Sequence, residues 1–237
     1  MLKKIWKFII KILILIVLAF SIFLGNLFFQ GYQKYEEAIS LKPIDIAVSE
    51  IMNKEDFVPN ESISSDFLNA LVSIEDHRFY ERKGIDYYSI GRALFFNAVT
   101  GSLQQGGSTI TQQLAKNIYF SHAKSLTRKV AEIFLVKDLE AKYTKAEIIT
   151  LYANIIYYGD GYNGISKASN GYFKKNPLDL SLYEASLLAG LPQSPTKLQL
   201  SNGYEEANKR QKAVLESMVK NGYISQEEYE ATMKLQP

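Results

Sequence analysis

The chain has no cysteine and only two histidines, His77 and His122. A disulfide framework and a thiolate metal site are therefore excluded, and a histidine-based metal site is disfavoured. The third scarcity is local. From Tyr87 to Ala131 there are forty-five residues without one Asp or Glu, although the whole chain holds 25 acids against 27 bases. Arg92, Lys116, Lys124, Arg128 and Lys129 lie in that stretch, with Glu75, Asp76, Glu81 and Asp86 before it and Glu132 closing it. Such a segment suggests an anion site, with a solvated basic face as the plainer alternative. The net charge of +2 reflects Lys3, Lys4, Lys7 and Lys11; without them 23 bases face 25 acids, or −2. A globally basic nucleic-acid binder is disfavoured.

What is abundant is apolar length. Residues 12–33 are 22 residues without a charge, mostly Ile, Leu, Val and Phe. About 20 helical residues cross a bilayer core. The flanking lysines assign residues 1–11 to a cytoplasmic basic tail and the rest, beyond the anchor, to the outside. A cleaved signal peptide competes, since Ala19-Phe20-Ser21 is a small-x-small triplet, but the apolar run continues past it through Phe29. Pro43 and Pro59 break residues 34–61 into a short juxtamembrane helix and a linker. Residues 62–237 form the expected globular domain.

Helix signals dominate that domain. Ser65 can cap Asp66 to Ile74, Asp86 a helix to Gly101, and Ser108 a helix from Thr109 to Asn117. Ser125 or Thr127 opens a long helix to about Tyr143. Capping boxes occur at Thr144–Glu147, Ser181–Glu184 and Ser225–Glu228. Nothing reads as a hairpin or a βαβ unit. The expected fold class is mostly α, on a single N-terminal transmembrane helix.

Several residues could carry chemistry. Glu132 sits in the apolar run from Val130 to Val136, and Arg128, four residues earlier, shares its helical face. That pair is a structural ion pair or part of a site. Glu75 and Asp76 emerge at the end of an apolar helix, as solvated acids or as a general base facing a cleft. Gly106-Gly107-Ser108-Thr109 leads into a helix whose first N–H groups favour an anion, though the spacing is not that of a Walker loop. Lys116 lies two turns beyond Ser108, so another segment must bring the two to one ligand. Two Ser-x-x-Lys matches stand without a Lys-Thr-Gly and suggest no serine acyltransferase.

Five blocks then stand in order: Glu75-Asp76-His77-Arg78-Phe79 with Gly84; Gly107 to Asn117; Arg128 to Glu132; Glu147 to Asn154 with Tyr158-Gly159 and Gly164-Ile165; and Leu180 through Gln193. Together they resemble the peptidoglycan glycosyltransferases of family 51, in their monofunctional, membrane-anchored form. The resemblance implies a lysozyme-like helical fold and polymerisation of lipid II in cell-wall biogenesis, with undecaprenyl diphosphate leaving and the anomeric centre inverted. It implies Glu75 as general base, Glu132 as second essential carboxylate, and Lys116, Arg128 and Lys129 as cations for the diphosphate. Ser108, Thr109, Gln112 and Gln113 would position sugar or phosphate, and Asp76 and Phe79 would shape the site. Implied partners are lipid II, the growing lipid-linked glycan, the bacterial cytoplasmic membrane and other cell-wall synthesis proteins. No dedicated metal motif is present, and a divalent cation, Mg or Mn, would accompany the diphosphate. Two departures stand out. Arg82 occupies the position where the family usually carries His, adding permanent charge near the expected base, and Lys174 replaces the Gly of a Tyr-Phe-Gly-Lys segment. With the sequence ending at Pro237, a transpeptidase domain is not expected. Two other readings remain: a catalytically weak glycan-binding or divisome scaffold of the same fold, and a lysozyme-like hydrolase, in which the cations would have no role with a neutral leaving group.

Overall fold

A computed structural model describes residues 2–86, 107–120 and 125–235. Among these the chain is mostly helical. The helix expected from Asp86 to Gly101 lies outside the described residues, as do Lys124 and Arg92.

Helix α1 (Leu2–Leu41) is continuous from the lysine-rich tail through the apolar run and beyond it. At 1.5 Å per residue it is about 60 Å long, roughly twice the thickness of a hydrocarbon core. Its apolar first part is exposed, as a lipid-facing surface must be, and it is long and apolar enough to span a membrane. Its last part lies along α5 (Leu126–Lys142). Gly31 makes that possible: a Cβ there would stand 2.4 Å from Val130 Cβ and Cγ1. Beyond Gly31, Tyr32 and Tyr35 close on the Phe134 ring at 5.3 and 5.4 Å, and the Tyr35 hydroxyl donates to Asp138. Replacing Gly31 by Leu forces the two helices apart; overpacking of this kind costs about 1–3 kcal/mol. The expected result is a lower Tm of the detergent-solubilised chain, and an unchanged Tm would mean the junction is not close-packed.

Helix α2 (Ile44–Met52) buries Ile44, Ala47, Val48 and Ile51, and Val58 follows them into the same core. The stretch anticipated as helix plus linker thus packs into the globular body. Helix α3 (Ser65–Glu75) buries Phe67, Leu68, Leu71 and Val72. It packs on α8 (Leu182–Gly190) and α10 (Tyr204–Lys220). Its N-cap is Ser64, one residue earlier than expected, and the Ser64 hydroxyl donates to Leu180 O at 3.3 Å instead of capping. Helix α4 (Ile110–Tyr119) lies against both α5 and α6 (Lys145–Ile155). The Thr144, Ser181 and Ser225 boxes form as their sequences predict. Helix α7 (Ile165–Phe173), the one-turn α9 (Pro195–Leu198) and α11 (Gln226–Met233) complete the body. Asn154 on α6 accepts from Val58 N and donates to Val58 O, both at 2.8 Å. This residue of the fourth sequence block therefore ties chain to chain.

Candidate active site

The expected cap Ser108 is not the cap. Thr109 is extended (φ −78°, ψ 163°), and its hydroxyl accepts from Gln112 N while Gln112 Oε1 accepts from Thr109 N at 2.9 Å. The box closes at Thr109 because a Gln stands at the third helical position from it. Both residues are buried, and these side-chain atoms are held by the helix terminus. The shift by one residue leaves the Ser108 hydroxyl to accept from Lys129 Nζ at 2.9 Å. The start of α4 thus meets the first turn of α5.

Glu132 is fully buried on α5. Lys129 Nζ donates to its Oε2 at 2.6 Å, and Arg128 Nε lies 3.0 Å from its Oε1, close enough for an ion pair but poorly aligned as a hydrogen bond. Burying a carboxylate among Ala131, Leu135 and Val136 is tolerated because two cations flank it. Lys116, half-buried on α4, makes no hydrogen bond or ion pair among the described residues. Burial pushes its amino group below the ordinary lysine range; attraction to Glu132, and more weakly to Glu75, opposes that, while Lys129 and Arg128 add to it. Two cations thus contact one buried carboxylate and a third, Lys116, is attracted to it, a surplus of two positive charges over Glu132.

Glu75 ends α3. Its Oε2 accepts from Gln113 Nε2 at 2.7 Å, and Gln113 Oε1 accepts from the Tyr152 hydroxyl at 2.9 Å. Tyr152 is completely buried; burial, with the nearby Glu75 charge, pushes its hydroxyl far above the ordinary tyrosine range. It therefore remains a donor and orients the Gln113 amide. Arg210 on α10 approaches the other oxygen, with Nη2 3.8 Å from Glu75 Oε1. Burial lowers its pKa and Glu75 offsets part of that. Neither Arg210 nor Tyr152 was singled out from the sequence. Arg210 lies in a helix whose charges alternate with no local sign of burial, and its packing against Gly190, where a Cβ would stand 2.9 Å from Arg210 Cγ, is a tertiary fact.

Asp76 and Phe79 serve differently from the rest. Phe79 is fully buried in the core with Lys145 Nζ 4.5 Å above its ring, so it offers no surface to a ligand. Asp76 is buried as well. Burial raises its carboxyl pKa, and Arg82 together with the Ile110 N–H opposes the rise. Arg82 does not face Glu75: its guanidinium is engaged by Asp76, with Asp86 and Glu140 beyond. Ile118, Tyr119 and Phe120 are half-buried and pack against the core.

Comparison with known proteins identifies the family. The transglycosylase family model matches residues 45–219, most of the chain. A relative from Cupriavidus necator, provisionally named a transglycosylase, is 36% identical over 231 residues, covering 98% of this chain and 96% of its own. Penicillin-binding protein 1F of Bacillus subtilis is 36% identical over 234 residues, 94% of this chain and 33% of its own. Penicillin-binding protein 1A of Aquifex aeolicus is 41% identical over 179 residues, 76% of this chain and 25% of its own. The chain spans a third or less of those two penicillin-binding proteins. It belongs to the transglycosylase family.

Proposed function

We propose that this protein polymerises lipid II into peptidoglycan glycan strands at the outer face of the bacterial cytoplasmic membrane. The observation that carries the proposal is the surplus of two positive charges around buried Glu132. A diphosphate leaving group is anionic and gains further negative charge as it departs, opposite in sign to that surplus, and fixed cations aimed at it lower the barrier. The close approach of Gly31 to Val130 supports the depth this requires. Gly31 stands in the last turn of the uncharged run, so Arg128 and Lys129, beside Val130, lie near the level where the anchor leaves the bilayer. A lipid-linked diphosphate is held at that level.

In this reading Glu75 takes the proton of the acceptor 4-hydroxyl. The freed oxygen forms its bond to the donor anomeric carbon with inversion. The bond from that carbon to the diphosphate oxygen breaks, and the electron pair leaves with undecaprenyl diphosphate. Lys116, Arg128 and Lys129 receive the departing charge. Glu132 keeps the three cations together, and Ser108 holds the Lys129 amino group. Gln113 holds Glu75 in place. Among the described residues no group of three His, Asp or Glu side chains could cage a metal. The site therefore fits Mg or Mn only as a companion of the diphosphate, held through substrate oxygens and at most one or two carboxylates; such an ion would add to the neutralisation of the leaving group. The lysine-rich tail keeps the N-terminus cytoplasmic and the catalytic body outside, where other cell-wall synthesis proteins are accessible to it.

The test is incubation of the full chain with labelled lipid II and a divalent cation, and separation of the products with and without muramidase. A muramidase-sensitive ladder is expected. Intact lipid II would refute polymerisation, and short fragments would point to hydrolysis.

A further inference from the structure

Arg82 joins parts of the molecule that are otherwise separate. Its guanidinium bonds Asp76, at the end of α3, and donates to the Gly84 carbonyl. It also lies 3.9 Å from Asp86 Oδ2 and 3.9 Å from Glu140 Oε1 on α5. Two further cations face the cluster: Arg78, paired with Asp86, and Lys145 of α6, 2.8 Å from Glu140 Oε1. Asp76, Asp86 and Glu140 against Arg78, Arg82 and Lys145 leave it neutral.

The two carboxylates bracketing Arg82 also hold one helix terminus. Asp76 Oδ2 accepts from Ile110 N at 3.1 Å, and Glu140 Oε1 accepts from the Thr111 hydroxyl at 2.7 Å. Ile110 and Thr111 are the first two residues of α4. One turn on, the same helix presents Gln113 to Glu75, and two turns on it carries Lys116. A forked guanidinium can engage two carboxylates and a carbonyl together, and it stays charged at every working pH.

We infer that Arg82 is a positioning residue. By holding Asp76 and Glu140 together it sets where the first turn of α4 lies, and thereby where Gln113 and Lys116 meet Glu75 and the leaving group. The inference rests on the proposed roles of Glu75 and Lys116 and goes beyond them, since Arg82 touches neither.

The test is to make the charge at this position titratable. Arg82→His is compared with the unaltered full chain in nanodiscs, from about pH 6 to about pH 8.5, a window chosen around the ordinary histidine pKa of about 6.5. Imidazolium beside three carboxylates has a raised pKa in the folded protein. Its hold is complete below the unfolded value and lost as pH rises through the folded one. The expected result is a kcat for lipid II polymerisation that falls at least about tenfold more in Arg82→His than in the unaltered chain across that window, as misplacement of reacting groups predicts. Amide exchange at Ile110 and Thr111, corrected for intrinsic rate, should quicken in parallel, while Leu187 and Leu188 in α8 stay protected. Arg82→Lys, charged throughout, should show no such extra pH step. Parallel pH profiles and unchanged exchange in Arg82→His would overturn the inference, as would a change confined to KM. Should the unaltered chain form no polymer, the function reading falls and the exchange experiment alone decides Arg82. Should Arg82→His unfold throughout, loss of protection at Ile110 and Thr111 but not at Leu187 in Arg82→Lys supports the inference, and uniform protection overturns it.

Discussion

Replacing Glu75 by Gln is expected to abolish polymerisation, by at least about 10³-fold, while the protein stays folded. General bases contribute about 10²–10⁴ in rate, and an amide cannot accept the acceptor's proton. The geometry survives because Gln113 Nε2, now 2.7 Å from a carboxylate oxygen, can donate equally to an amide oxygen, and Tyr152 continues to orient Gln113. The loss in stability should be small, about 1 kcal/mol, from the weakened attraction of Arg210 at 3.8 Å. Product gels and a thermal melt on one preparation check both statements. Full activity would remove Glu75 from the role of base, and a collapsed melt would mean that Glu75 is chiefly structural.

Lys116→Met is the second large effect, and its two readouts should move apart. Polymerisation should fall about 10²–10³-fold, the cost of removing one group aimed at developing charge. The Tm should stay level or rise. Methionine keeps most of the buried stem and removes a charge for which burial outweighs the attraction of Glu132 and Glu75. The linkage has a definite sign. A lysine whose folded pKa is depressed destabilises the fold fully below that value, and the penalty disappears as pH rises toward the unfolded value of about 10.4. Any stability advantage of the Met variant should therefore shrink on the alkaline side. A diphosphate ligand reverses the balance by giving the ammonium a partner, so a polyprenyl diphosphate should bind the variant at least about tenfold more weakly. Equal affinity would exclude Lys116 from the anion site, and a lower Tm at neutral pH would show that its charge is already compensated in the free protein. A residue that costs stability in the empty site and stabilises the departing charge is expected wherever a strong anion must be held briefly and then released.

Local patterns were legible wherever the physics is local. The apolar run 12–33 appears as one lipid-facing helix because crossing a bilayer depends on length and hydropathy alone. The boxes at Thr144, Ser181 and Ser225 form because a capping box needs only residues three apart. Glu132 could be expected to be buried beside Arg128 from its apolar neighbours and a four-residue spacing. Reading stopped where two local solutions were nearly equal, as at Ser108 and Thr109, where adjacent hydroxyls can each cap. The Gln at position 112 decides it, and the consequence, a Ser108 hydroxyl that meets Lys129 from another helix, is not local.

The sequence by itself therefore determined the mostly helical class of fold, the long apolar N-terminal helix and the burial of Glu132, because periodicity, capping and hydropathy act over a few residues. Only the tertiary structure decided which charges pair. Arg82 turns to Asp76 and Glu140 and not to Glu75, Arg210 reaches Glu75 from a helix more than a hundred residues away, and Gly31 brings the anchor onto the helix that carries Glu132. Those outcomes depend on which helices pack together and how closely, and a guanidinium selects its partner from whatever the packing places within a few ångströms.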